Sequence, residues 1–257
     1  TPHGDGPDVI LGGGRAHFLP DSVVDPEHSK KTGKRDDGRN LIEQWLQSRS
    51  GREYVWNRQD FLALSERRAK GEGSNGQVMG LFEPSHMQFE ADRANDPAGE
   101  PSLLEMTQFA LAEMQKADQG YFLLIEAGRI DHAHHGSNAY RALVDTVALS
   151  EAVQWVTDHV DLSDTLILVT ADHSHTMTIS GYPRRGNPIL GLVETQPGRL
   201  AKDATGLPYT TLSYANGGGY RKRRPDLTKV DTAALDYQQL STVPMYSETP
   251  VSYTHLT

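Results

Sequence analysis

The chain has 257 residues, with 25 Lys and Arg against 34 Asp and Glu for a formal charge of −9. That length holds one large α/β domain or two smaller ones. A mean hydropathy of −0.56, and no apolar run near the ~20 residues of a spanning helix, exclude a membrane bundle. The acidic balance argues against nucleic acid as a partner, which requires a basic face. Zero cysteines exclude disulfides, thiolate zinc sites and a thiol nucleophile.

The chain opens on Thr1 without the charged and apolar regions of a signal peptide, as a mature protein or an internal fragment does. Asp8–Leu11 followed by Gly12-Gly13-Gly14 reads as a short buried strand closing in a Gly-rich turn. Residues 16–39 have loop composition. Asn40 caps a predicted helix with apolar positions Leu41, Ile42, Trp45 and Leu46. A strand at Tyr54–Trp56, a helix over Asp60–Ala69 and a strand at Val78–Phe82 follow. Ser102 is placed to cap a helix carrying Leu103, Thr107, Ala110, Leu111 and Met114 at helical spacing.

Tyr121–Ile125 and Thr165–Thr170 are continuous apolar runs, the pattern of strands buried on both faces, with a long helix from about 138 to 160 between them. The alternation predicts an α/β fold with a mostly parallel central sheet covered by helices on both faces. After Gly181 the texture turns to Gly, Pro and Arg. Residues 182–243 read as a small insertion with short strands at Ile189–Val193 and Thr210–Tyr214, between a main domain over 1–181 and its return at 244–249. Residues 250–257 carry no pattern and read as a non-native tail.

Five of the eleven histidines (His132, His134, His135, His173 and His175) follow the two apolar runs directly. In open α/β sheets chemistry sits beyond the carboxyl ends of strands. Asp131 and His135 are one helical turn apart and face one point, and Asp172-His173 supplies a second carboxylate and imidazole, a donor set suited to zinc. Glu126 ends the first run. Each piece alone is ordinary: an Asp and a His four apart are usually a solvated pair. Together they would bury uncompensated negative charge unless a cation is held among them.

Glu126-Ala127-Gly128-Arg129-Ile130-Asp131-His132-Ala133-His134-His135 and Thr170-Ala171-Asp172-His173-Ser174-His175-Thr176 resemble the two metal-binding blocks of alkaline phosphatases. Gly12-Gly13-Gly14-Arg15, Tyr54-Val55-Trp56-Asn57-Arg58, Gly80-Leu81-Phe82-Glu83-Pro84 and Gly181-Tyr182-Pro183 recur in the same order in the animal-type branch, so the resemblance spans about residues 8–249. It implies the C-terminal part of a catalytic domain, with 182–243 as its crown insertion. It also implies two zinc ions and one magnesium, with Asp131 and His135 on the first zinc, Asp172 and His173 on the second, and Glu126 on magnesium. His134 and His175 would orient ligands from behind. A calcium is implied at Glu27, the Phe82 carbonyl, Glu83 and Glu100, the last standing where the family has Asp after a loop two residues longer here.

The resemblance further implies phosphate monoesters as substrates, a phosphoserine intermediate and a homodimer. It points to an extracellular, periplasmic or cell-surface parent. The family's nucleophilic serine falls upstream of Thr1, and Asp21-Ser22 only imitates it. The His that follows Glu-Thr in the family, the third ligand of the first zinc, is Pro250 here, and His255 comes five residues late. Rival readings are a phosphodiesterase of the same superfamily and a non-catalytic metal-binding lobe.

Overall fold

The computed structural model describes residues 6–248. The chain divides into two units, one formed by residues up to Glu126 with Ala148–Ser163, the other by Ala127–Val147 with Asp164 onward.

In the first unit β1 (Val9–Gly12), β2 (Glu53–Val55) and β3 (Val78–Leu81) form a parallel sheet in the order β1-β3-β2. Central β3 is buried at all four positions, and the two-residue period of a strand divides its side chains between two cores. Val78 packs with Phe61, Leu64, Phe82 and Phe109, while Met79 and Leu81 pack with Leu19 and Ile42. Phe61 and Leu64 come from α2 (Arg58–Ala69), Phe109 from α3 (Leu103–Met114) and Ile42 from α1 (Leu41–Gln47). Helices therefore cover both faces of a parallel sheet, an α/β fold. Phe61 meets Phe82 and Phe109 edge-on at 5.5 and 5.3 Å. Gly80 makes room for this packing, since a Cβ there would lie 2.6 Å from Phe82.

Both predicted caps are made: Asn40 accepts from the Glu43 amide, and Ser102 and Glu105 close a capping box. Asn57, not foreseen, accepts from the Asp60 amide. Past β1 the Gly-rich turn lies against residues 83–85: the Gly14 amide donates to the Ser85 carbonyl at 2.6 Å and that of Arg15 to Glu83 at 2.9 Å. A Cβ on Gly13 would sit 2.2 Å from the Ser85 oxygen.

The second unit contains α4 (Arg129–His135) and the first residues of α5 (Ala139–His159), which continues into the first unit. Its sheet joins β4 (Met177–Ile179), β7 (Leu212–Gly217) and β8 (Ser241–Pro244), antiparallel between β4 and β7 and parallel between β7 and β8. β5 (Glu194–Gln196) and β6 (Arg199–Leu200) form a separate hairpin.

Two expectations are corrected. Tyr121–Ile125 and Thr165–Thr170 form no strand among the described residues, and Phe122, Leu124, Leu166 and Leu168 are 85%, 78%, 81% and 80% exposed. Leu123, Ile125 and Ile167 are half-buried. A continuous apolar run records that both faces favour cover, but it does not supply the neighbouring strands. Ile189–Val193 is not a strand either; it turns, and Leu192 makes a single bridge to Thr210. Among the described residues no helix is long and apolar enough to cross a membrane.

Candidate metal centres

In the second unit, α4 begins after Gly128 and ends at Gly136, and Ser137, buried with φ 53°, turns the chain toward α5. The helical turn sets His135 Nε2 3.3 Å from Asp131 Oδ1. From the segment before β4, His175 Nε2 stands 2.9 Å and His173 Nε2 3.8 Å from the same oxygen. Asp172 points outward, its side chain 87% exposed, with Oδ2 3.5 Å from His173 Nε2.

The other ring nitrogens explain this convergence. Nδ1 of His135 meets the Glu248 carbonyl, that of His173 the Ser174 carbonyl, and that of His175 the Glu248 carboxylate. An imidazole whose Nδ1 hydrogen is given to oxygen presents its Nε2 lone pair, the arrangement metal-ligating histidines adopt. Three Nε2 atoms so prepared surround Asp131 Oδ1, which is out of solvent and has no N–H aimed at it. A carboxylate and imidazoles disposed in this way fit zinc.

Glu248 is the residue that motif reading passed over. It is fully buried, and its carboxylate also accepts from the Thr176 amide. Burial raises its pKa, but the bonds from His175 and Thr176 outweigh that and hold it below the usual value. Its sequence signal was Ser247-Glu248-Thr249, read only for the residue expected next. His134 stacks on His175 at 4.6 Å and shares a 2.8 Å hydrogen bond with the Tyr214 hydroxyl. Burial, then the neighbouring His175, lowers its pKa to about 4, so it is a neutral ring at physiological pH. Glu126 is exposed in a segment of the first unit without regular secondary structure. Pro250 and His255 lie outside the described residues.

The first unit holds a second cluster, beside the Gly-rich turn. Arg15, completely buried, grips Asp25 with Nε–Oδ2 2.8 Å and Nη2–Oδ1 2.9 Å and reaches Glu27 at 3.1 Å. Its Nη1 donates to the Leu81 carbonyl at 2.9 Å. Glu27, His28 and Glu83 bring one ligand atom each within 4.8 Å of one another, and Phe82 precedes Glu83, fully buried. Glu100, 1% exposed, accepts from the Gln88 amide at Oε1 and leaves Oε2 buried without a partner.

Asp96, which the sequence reading did not assign, lies against Glu27 and Glu83 with both carboxylate oxygens buried and no donor. Burial, reinforced by Glu27 and Glu83, pushes its pKa up to about 7; burial chiefly pushes Glu100 up to about 8. Buried carboxylates so crowded are held as anions only beside a cation.

Fold and sites together define a class: an α/β protein with two carboxylate–imidazole clusters of metal-ligand type. The family model described as alkaline phosphatase matches residues 4–252. The chain is 40% identical over 250 residues to a membrane-bound alkaline phosphatase of Bombyx mori, covering 94% of this chain and 42% of that protein. It is also 40% identical over 251 residues to the tissue-nonspecific alkaline phosphatase of Gallus gallus, covering 94% and 46%. The Thermus thermophilus alkaline phosphatase structure superposes with a TM-score of 0.57 at 31% identity, over 70% of this chain and 33% of that one. This chain belongs to the alkaline phosphatase family. It spans less than half the length of these curated relatives.

Proposed function

We propose that the chain is part of a phosphomonoesterase that works with two zinc ions and one magnesium through a phosphoserine intermediate. The observation that carries this reading is the convergence of three oriented imidazole Nε2 atoms on Asp131, in a family whose named members are phosphatases. Asp131 and His135 would hold the first zinc, Asp172 and His173 the second, and Glu126 magnesium. Bound zinc supplies Lewis acidity toward phosphoryl and leaving oxygens and favours the deprotonated nucleophile.

The chain's own residues provide the rest. Glu248 fixes the orientations of His135 and His175, and His175 presents its Nε2 2.9 Å from Asp131. His134 fills the space behind as an uncharged ring. In the first unit Glu27, Glu83, Glu100 and the Phe82 carbonyl would hold calcium with hard oxygen ligands. Residues 182–243 would be the crown, at the surface of a homodimer, in an extracellular, periplasmic or cell-surface parent. A phosphodiesterase is the second reading; Gly80-Leu81-Phe82-Glu83-Pro84 and the 40% identity to animal phosphatases favour the monoesterase over it.

No serine of this chain takes the nucleophile's part in this reading, so the 257-residue chain should bind zinc yet turn over nothing. Purified chain with zinc and magnesium is offered an aryl phosphate at alkaline pH, and zinc is counted by elemental analysis. Expected are bound zinc, reduced in Asp131→Asn with His173→Gln, and no turnover. Turnover abolished by Asp172→Ala would instead make Ser22 or Ser174 the nucleophile, and zinc binding indifferent to the double substitution would end the metal reading.

A further inference from the structure

We infer that the acidic cage of the first unit is a mixed oxygen–nitrogen metal site in which His28 and Asp96 are ligands, so that it takes a manganese- or zinc-class dication in preference to calcium. This rests on the reading that the cage holds a cation, but adds two residues to it and replaces calcium with another class of metal.

The distances make the first argument. His28 Nε2 lies 3.8 Å from Glu27 Oε2 and 3.7 Å from Glu83 Oε2. Those separations are too long for hydrogen bonds. They suit two ligands of one ion, because donors about 2.1–2.4 Å from a metal stand about 3.0–4.2 Å apart at angles between 90° and 120°. The His28 amide donates to Asp25 Oδ1 at 3.0 Å, as does that of Glu27 at 3.1 Å. Asp25 is itself clamped by Arg15. The turn that presents Glu27 and His28 side by side is thus anchored from below by a buried ion pair.

Unsatisfied oxygens make the second argument. Glu100 Oε2 belongs to a side chain 1% exposed and has no partner, and both oxygens of Asp96 are buried without one. Arg15 answers Asp25 and Glu27, but among the described residues no Lys or Arg forms an ion pair with Glu83, Asp96 or Glu100. Anions left this way in the interior call for a cation. Calcium favours an all-oxygen shell. An imidazole among carboxylates shifts preference toward borderline ions, and among these a carboxylate-rich shell suits manganese. Asp96 adds a third hard carboxylate beside Glu27 and Glu83, so the set carries more than the charge needed to balance a dication.

The test uses the 257-residue chain with Asp131→Asn, His135→Gln and His173→Gln, which silences the second-unit centre. Manganese, zinc and calcium are titrated singly by calorimetry, and bound manganese is examined by electron spin-echo modulation for coupling to an imidazole nitrogen. Expected are one manganese per chain with nitrogen coupling and tighter binding of manganese than of calcium. His28→Gln should abolish the coupling and reverse the preference. Asp96→Asn should weaken both ions by at least about tenfold, as loss of a supporting group at a metal site does. Circular dichroism of each variant, with His28→Asn as a second replacement, shows that the fold is kept. Manganese without nitrogen coupling, or a metal preference unmoved by both His28 replacements, overturns the inference while leaving the cage as a calcium site. Absence of binding by all three ions overturns the cage reading itself.

Discussion

Replacing Arg15 by Met should be among the most costly single changes in the first unit. Arg15 and Asp25 have side chains 0% and 1% exposed, bonded twice, with Glu27 and the Leu81 carbonyl as further partners. Methionine fills much the same volume but leaves Asp25 ionised and buried with only the amides of Glu27 and His28. Removing one partner of a buried pair costs about 3–5 kcal/mol, because the remaining charge stays desolvated. At roughly 2–4 °C per kcal/mol for a chain of this size, the melting midpoint should fall by about 6–20 °C.

The pH dependence provides a sharper check. In the native protein burial pushes the Asp25 carboxyl up, but the Arg15 bonds and two amides outweigh it and hold the pKa below 3.8. The pair's stabilisation is therefore complete above the unfolded value and is lost as pH falls through the depressed one. In the variant burial wins and Asp25 titrates above its unfolded value, so acidification relieves the cost. Urea midpoints measured from pH 7 to pH 4 should show the deficit shrinking. A loss under about 1 kcal/mol at pH 7, or a deficit that does not change with pH, would refute the reasoning.

Two further outcomes are expected. Ser102→Ala removes the capping box of α3, in which Ser102 accepts from the Glu105 amide at 3.1 Å and Glu105 from that of Ser102 at 2.9 Å; urea unfolding should show a loss of about 0.5–2 kcal/mol. Replacing Phe122, Leu124, Leu166 and Leu168 by Ser should lower the binding of an apolar fluorescent dye and slow aggregation, with less than about 1 kcal/mol change in stability, since exposed side chains contribute little.

Local signals were legible and long-range ones were not. Asn40 and Ser102 cap helices because each interaction is complete within four residues. Asp131 with His135 reads as one face of a turn, and His173 and His175 lie in a single short segment. Arg15 finds Asp25 across ten residues by folding under a Gly turn, which no periodicity announces. Asp96 stands in a lengthened loop whose composition reads as solvent-facing, yet its oxygens are buried. The apolar runs at 121–125 and 165–170 misled for the opposite reason: they encode a demand for neighbours, and among the described residues that demand is unmet.

Glu248 lies 113 residues from His135 and 73 from His175, yet both rings take their orientation from it. Inherited variation at position 248 would alter the Asp131 centre while leaving every ligand in place. Glu248→Gln keeps the shape but removes the acceptor charge beside His175, so that ring loses the partner that fixes its tautomer. The neighbouring backbone carbonyl would still hold His135. One heritable change would thus disturb the imidazole nearest Asp131 and spare the one across the helical turn. Two variants with intact metal-binding motifs could then differ in metal content, and comparison of the motifs alone would miss the cause.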